Sequence, residues 1–85
     1  MKALILQVLK QFNLSVTSEK EDHLVVIIPN KYVITIYLKP IKQTYVLKAQ
    51  PITEQVMNMP LVSKGKDYYF SDIEYFENIL KKLSE

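Results

Sequence analysis

The sequence predicts an α+β fold: an N-terminal helix, a four-stranded antiparallel β-meander, an irregular segment with a short hairpin, and a C-terminal helix, the helices packed mainly on one face of the sheet. Three observations predict it. Apolar residues recur with helical spacing at both ends of the chain, and four β-rich runs between them are separated by short turn signals. The registers those turns allow then agree on a single apolar face.

At the N-terminus, Ile5, Val8, Leu9 and Phe12 follow i, i+3, i+4, i+7 spacing while Lys2, Gln7, Lys10 and Gln11 fall elsewhere. That pattern is an amphipathic helix over 2–12. Asn13 is its expected C-terminal cap, because asparagine tolerates the left-handed conformation in which helices often end.

Turn signals at Lys20-Glu21-Asp22, Pro29-Asn30-Lys31 and Pro40-Ile41-Lys42-Gln43 divide residues 14–50 into strands. The first loop sets Val16 opposite Val26 and Leu14 opposite Ile28. The second sets Leu24, Val26 and Ile28 opposite Ile36, Ile34 and Tyr32, and the third pairs Leu38 with Tyr45, Ile36 with Leu47 and Ile34 with Ala49. All three place Leu14, Val16, Leu24, Val26, Ile28, Tyr32, Ile34, Ile36, Leu38, Tyr45, Leu47 and Ala49 on one core face. Agreement between local and global signals favours this topology.

Residues 51–70 are the least regular, with Pro51, Pro60 and the sole glycine, Gly65. Ile52, Val56 and Met59 suit a helical turn, and Leu61-Val62 suits pairing with Tyr68-Tyr69-Phe70 around Ser63–Lys66, where Gly65 would supply a positive φ. In the last segment Ser71 and Glu74 have capping-box spacing and Phe70 is placed to staple onto Tyr75. Ile73, Phe76, Ile79, Leu80 and Leu83 form the apolar stripe. Asp72, Glu74 and Glu77 lie toward the start and Lys81 and Lys82 toward the end, as the helix dipole favours.

The 85 residues read as one domain spanning 1–85. With no cysteine, neither a disulfide framework nor a thiolate metal site is available. The apolar start is interrupted by Gln7, Lys10 and Gln11 before any cleavage site, and no run reaches the roughly 20 apolar residues of a membrane span, so the expected location is the cytoplasm. The net charge of +2 rests on lysine alone, which argues against sequence-specific DNA reading, where arginine makes the bidentate contacts.

His23, the only histidine, is expected to face Glu19 on the outer sheet surface with Tyr37 on its other side. Cross-strand charge pairing accounts for such a pair, and no nucleophile or third ligand accompanies it. The remaining carboxylates suit solvated turns and helix surface, and one glycine excludes Gly-rich phosphate loops. The expectation is therefore a protein with no catalytic residues, metal or cofactor, no membrane partner and no small-molecule substrate.

Two surfaces remain. The outer sheet face should alternate to polar residues if wet, yet Val25, Ile27, Val33, Tyr37 and Val46 make it apolar in mid-sheet. Either residues 51–70 or a helix cover this cluster, or it serves a partner, a second copy being the commonest. The other surface joins Lys64 and Lys66 to Tyr68 and Tyr69, with Lys39 and Lys48 as a second stripe, a composition that single-strand binders use. The leading expectation is a non-enzymatic protein-interaction or assembly module, homodimeric in its simplest form. The alternative is a weak, non-sequence-specific nucleic-acid binder.

The order of elements is similar to that of double-stranded-RNA-binding domains and of RWD-like interaction domains. The last helix opens Ser71-Asp72-Ile73-Glu74 rather than with a lysine cluster, and the tyrosine–proline pattern of the second family is missing around Tyr45 and Pro51. Neither family is assigned.

Overall fold

In a computed structural model, which describes residues 1–57 and 59–85, the chain is α+β with two helices and an antiparallel sheet. Helix α1 spans Lys2–Gln11 and α2 spans Ile73–Ser84. Strands β1 (Val16–Glu19), β2 (His23–Ile28), β3 (Tyr32–Tyr37) and β4 (Tyr45–Val56) follow one another across the sheet, and β5 (Met59–Val62) and β6 (Lys66–Phe70) both pair with β4. Among the described residues the sheet thus has six strands where four were expected.

Helix α1 ends as its sequence requires. Asn13 has φ 58°, its N–H donates to Lys10 O at 3.0 Å, and Leu14 N–H donates to Leu9 O at 2.9 Å. These are the two bonds of a Schellman motif, with Leu14 folded back against the core.

The central registers are those the sequence predicts: Leu24↔Ile36, Val26↔Ile34 and Ile28↔Tyr32 between β2 and β3, then Ile36↔Leu47 and Ile34↔Ala49 between β3 and β4. Pro29 and Asn30 (φ 63°) close the first of these hairpins as the pattern of a type II turn requires. Two expected pairs differ. Leu14 precedes β1, and Leu38 donates to Asp22 O at 2.8 Å instead of meeting Tyr45. The tip beyond it is closed by reciprocal Ile41–Thr44 bonds around Lys42 and Gln43, both at positive φ, the pattern of a primed hairpin turn.

The largest departure is in residues 51–70, where the described residues form no helical turn. Strand β4 runs through Pro51, because Ile52 N–H donates toward β3 (to Lys31 O, 2.8 Å) and so leaves the missing Pro51 N–H on the opposite side. There Pro51 takes part through its carbonyl, which accepts from Ser63 N–H at 3.0 Å, and residues 63–65 belong to neither β5 nor β6. Leu61 and Val62 pair with Glu54 and Ile52 of β4, not with Tyr68–Phe70, so β5 and β6 lie one after the other along the same edge. Gly65 does not adopt positive φ; it permits close approach, since a Cβ there would lie 2.8 Å from Gln50 Cγ and 3.2 Å from Ala49 O.

Helix α2 is capped one residue later than predicted. Asp72 accepts from Tyr75 N at 2.8 Å, which displaces the Ser71–Glu74 box, and Phe70 packs on Phe76 (centroids 5.0 Å) rather than stapling to the exposed Tyr75. Tyr45 stacks on the other side of Phe70 at 5.4 Å, so three rings tie β4, β6 and α2 together.

One core joins Ile5, Val8 and Leu9 of α1 and Phe76, Ile79, Leu80 and Leu83 of α2 to the predicted inner sheet positions and Phe70. Leu14, Val16, Tyr32, Leu38 and Tyr45 pack half-buried against it. Among the described residues the core contains no buried polar side chain.

Candidate interaction surfaces

Every second residue of β2, β3, β4 and β6 faces away from the core. Val25, Ile27, Val33, Tyr37 and Val46 all lie there; the first three and Val46 are half-buried and Tyr37 is 38% exposed. None belongs to the core or to the apolar residues packed against it. Ile27 and Val33 are cross-strand partners beside Val25, and Val46 partners Tyr69 of β6. Between these two apolar groups runs a polar row, because Thr35 partners Lys48 and Lys48 partners Asp67. Tyr69 thus joins the apolar face, a placement hidden while β6 was paired with β5.

His23 does not face Glu19. A bulge at Thr17 adds one residue to β1 and moves Glu19 opposite Leu24, where its carboxylate pairs with Lys2 at 2.8 Å. His23 Nδ1 instead donates to Asp22 Oδ1 at 2.8 Å, and this bond holds the Asp22 carboxyl below its ordinary value, with Lys39 adding a smaller electrostatic pull. Tyr37 does lie on the other side of the imidazole, its ring 6.3 Å away. Among the described residues no group of three metal-ligating side chains forms.

The lysine–tyrosine set is distributed over several surfaces. Lys66 and Tyr68 share the inner side of β6, with the ammonium 5.2 Å from the ring centroid, while Tyr69 faces outward. Lys64 is exposed in the link before β6, Lys48 stands opposite Asp67 in mid-sheet, and Lys39 is near Asp22 at the end of β3. Lys66, Asp67, Tyr68 and Tyr69 nevertheless line an open groove of about 410 Å³ whose other wall is Tyr75, Asn78, Ile79 and Lys82 of α2. Those four have i, i+3, i+4, i+7 spacing, a stripe overlooked because Ile79 had been counted only with the core.

A further surface is the arm made by the far half of β4 and β5. Val56 partners Met59 and Glu54 partners Leu61, so Val56, Met59 and Leu61 share one face of the ribbon. Met57 at the tip is 97% exposed, and these four residues line an open apolar hollow of about 450 Å³. Reading 51–70 as irregular concealed it.

Among the described residues no helix is long and apolar enough to cross a membrane. No protein-family model, curated protein or solved structure matches the chain.

Proposed function

We propose that the protein is a non-enzymatic interaction module that pairs with a second copy of itself through the outer face of its sheet. In support, the buried side chains of both helices fall in one cluster with inner-face residues of the sheet, and among the described residues no outer-face side chain belongs to it. The observation that carries this reading is that Val25, Ile27, Val33, Tyr37 and Val46 stand outside that core although they occupy mid-sheet positions. A face meant only for water would be polar there.

Charge supports a second copy as the occupant. Lys48 and Asp67 sit side by side in the polar row, so a two-fold rotation about an axis near that row sets Lys48 of each copy toward Asp67 of the other. Five strands (β1 to β4 and β6) at about 4.8 Å spacing and roughly five residues each present about 400 Å² per copy. That is the scale of weak, reversible contacts.

Sedimentation equilibrium tests this. The mass should rise with concentration from the 10.0 kDa of one chain toward twice that value, and Ile27→Lys should hold it at one chain while leaving the melting temperature in dilute solution in place. A single-chain mass at every concentration up to about 1 mM would refute self-association.

A further inference from the structure

We infer that the groove between β6 and α2 binds an extended peptide, which adds to the sheet as a strand beside β6. Within the described residues β6 pairs only with β4, so its other edge is open. The ladder fixes which backbone groups face that edge. Pro51 O accepts from Ser63 N at 3.0 Å, so odd-numbered β4 residues point their backbone groups toward β5 and β6. Lys66, Tyr68 and Phe70, the partners of Ala49, Leu47 and Tyr45, therefore bond to β4. Asp67 and Tyr69 point both N–H and C=O into the groove, which accounts for four consecutive strand residues lining it.

The other edges are blunted in ways that β6 is not. β1 carries the Thr17 bulge, β5 contains Pro60, and β6 is a regular run with neither. Unprotected edges flanked by a helix are where strand addition occurs, with main-chain bonds giving affinity and alternate side chains giving selectivity.

The walls set the peptide's chemistry. Only Ser71 and Asp72 separate β6 from α2, so the helix runs back along the strand and Lys82 comes level with Lys66. The lengths agree: Lys66 to Phe70 spans about 13 Å and Tyr75 to Lys82 about 10.5 Å. One end of the groove is thus basic, and the other is walled by Tyr75 and Ile79. An antiparallel peptide, in the sense of every other pair in this sheet, would place its last residue opposite Lys66 and two earlier alternate residues opposite Tyr68 and Phe70, all with side chains toward α2. The recognised sequence is apolar-x-apolar-x-acidic.

The test uses the full chain and a fluorescein-labelled, amidated pentapeptide of the order valine, threonine, valine, threonine, glutamate, followed by fluorescence anisotropy. Binding is expected, weakened at least tenfold by N-methylation of the two threonines, whose N–H groups would meet Asp67 and Tyr69. N-methylation of the second valine, whose N–H points away, should have little effect. Lys66→Glu together with Lys82→Glu, both exposed positions, should also weaken it at least tenfold, whereas Ile27→Lys, which addresses the outer face, should leave it unchanged. No binding at millimolar peptide, equal loss from either methylation, or binding lost in Ile27→Lys and kept in the double lysine variant would overturn the inference. Occupation of the groove by oligothymidylate and not by the peptide would overturn it in favour of nucleic acid.

Discussion

Val25 and Val26 are neighbours on β2, identical in chemistry, and differ only in the face they present. Val26 is fully buried between Val16 and Ile34, while Val25 is half-buried on the outer face beside Thr35. Substituting each by threonine keeps volume and β-branching, so strand propensity cancels in the comparison. At Val26 the hydroxyl enters a core with no buried polar side chain among the described residues, which costs about 1–3 kcal/mol. At Val25 it meets solvent and costs under about 0.5 kcal/mol. Against a total stability of roughly 4–13 kcal/mol for a chain of this length, the first is a large fraction. At about 4–8 °C per kcal/mol, Val26→Thr should lower the melting temperature by about 4–24 °C and Val25→Thr by less than about 4 °C. Thermal and urea unfolding should be followed in dilute solution, where self-association does not contribute. Equal losses, or a larger loss at Val25, would mean that the sheet is shifted by one residue.

Asp72→Ala should destabilise by about 1 kcal/mol in urea unfolding through loss of the Tyr75 N–H bond, whereas Ser71→Ala, whose hydroxyl only reaches Thr44 Oγ1 at 3.5 Å, should cost under about 0.5 kcal/mol. Gly65→Ala should destabilise despite the ordinary φ, because the new Cβ meets Ala49 O and the stems of Lys48 and Gln50; an unchanged urea midpoint would refute the close approach. Asp22 should titrate below an ordinary aspartate by carboxyl-carbon NMR and return upward in His23→Gln. Since its folded value is depressed, its contribution is complete above about pH 4 and lost as pH falls through the folded value.

What could be read from the sequence follows a physical division. The β2–β3–β4 hairpins were legible because parity is unforgiving: a slip of one residue would have driven Thr35 and Lys48 into the core. The stripes of both helices were legible for the same reason at a period of 3.6. The Thr17 bulge was not, since one extra residue leaves no mark on composition, and it alone separated His23 from Glu19. Pro51 fell in the irregular segment because the side on which its missing N–H falls is set by β3, a partner distant in the chain. Ser71 and Asp72 are both good caps, and only the packing of Phe70 on Phe76 decides between them. The outer cluster was visible residue by residue, but its division by the Thr35–Lys48–Asp67 row needed β6 beside β4. The groove joins an edge strand to a helix wall, so it exists only once both are placed.

The most direct measurement of the central claim is a dilution series of backbone amide NMR spectra, which reports the contact surface residue by residue. Shifts that move with concentration and converge on dilution should map to Val25, Ile27, Val33, Thr35, Tyr37, Val46 and Lys48, leaving the helices unmoved. Concentration-dependent shifts confined to Val56, Met57, Met59 and Leu61 of the arm, or none at all, would contradict pairing through the outer face.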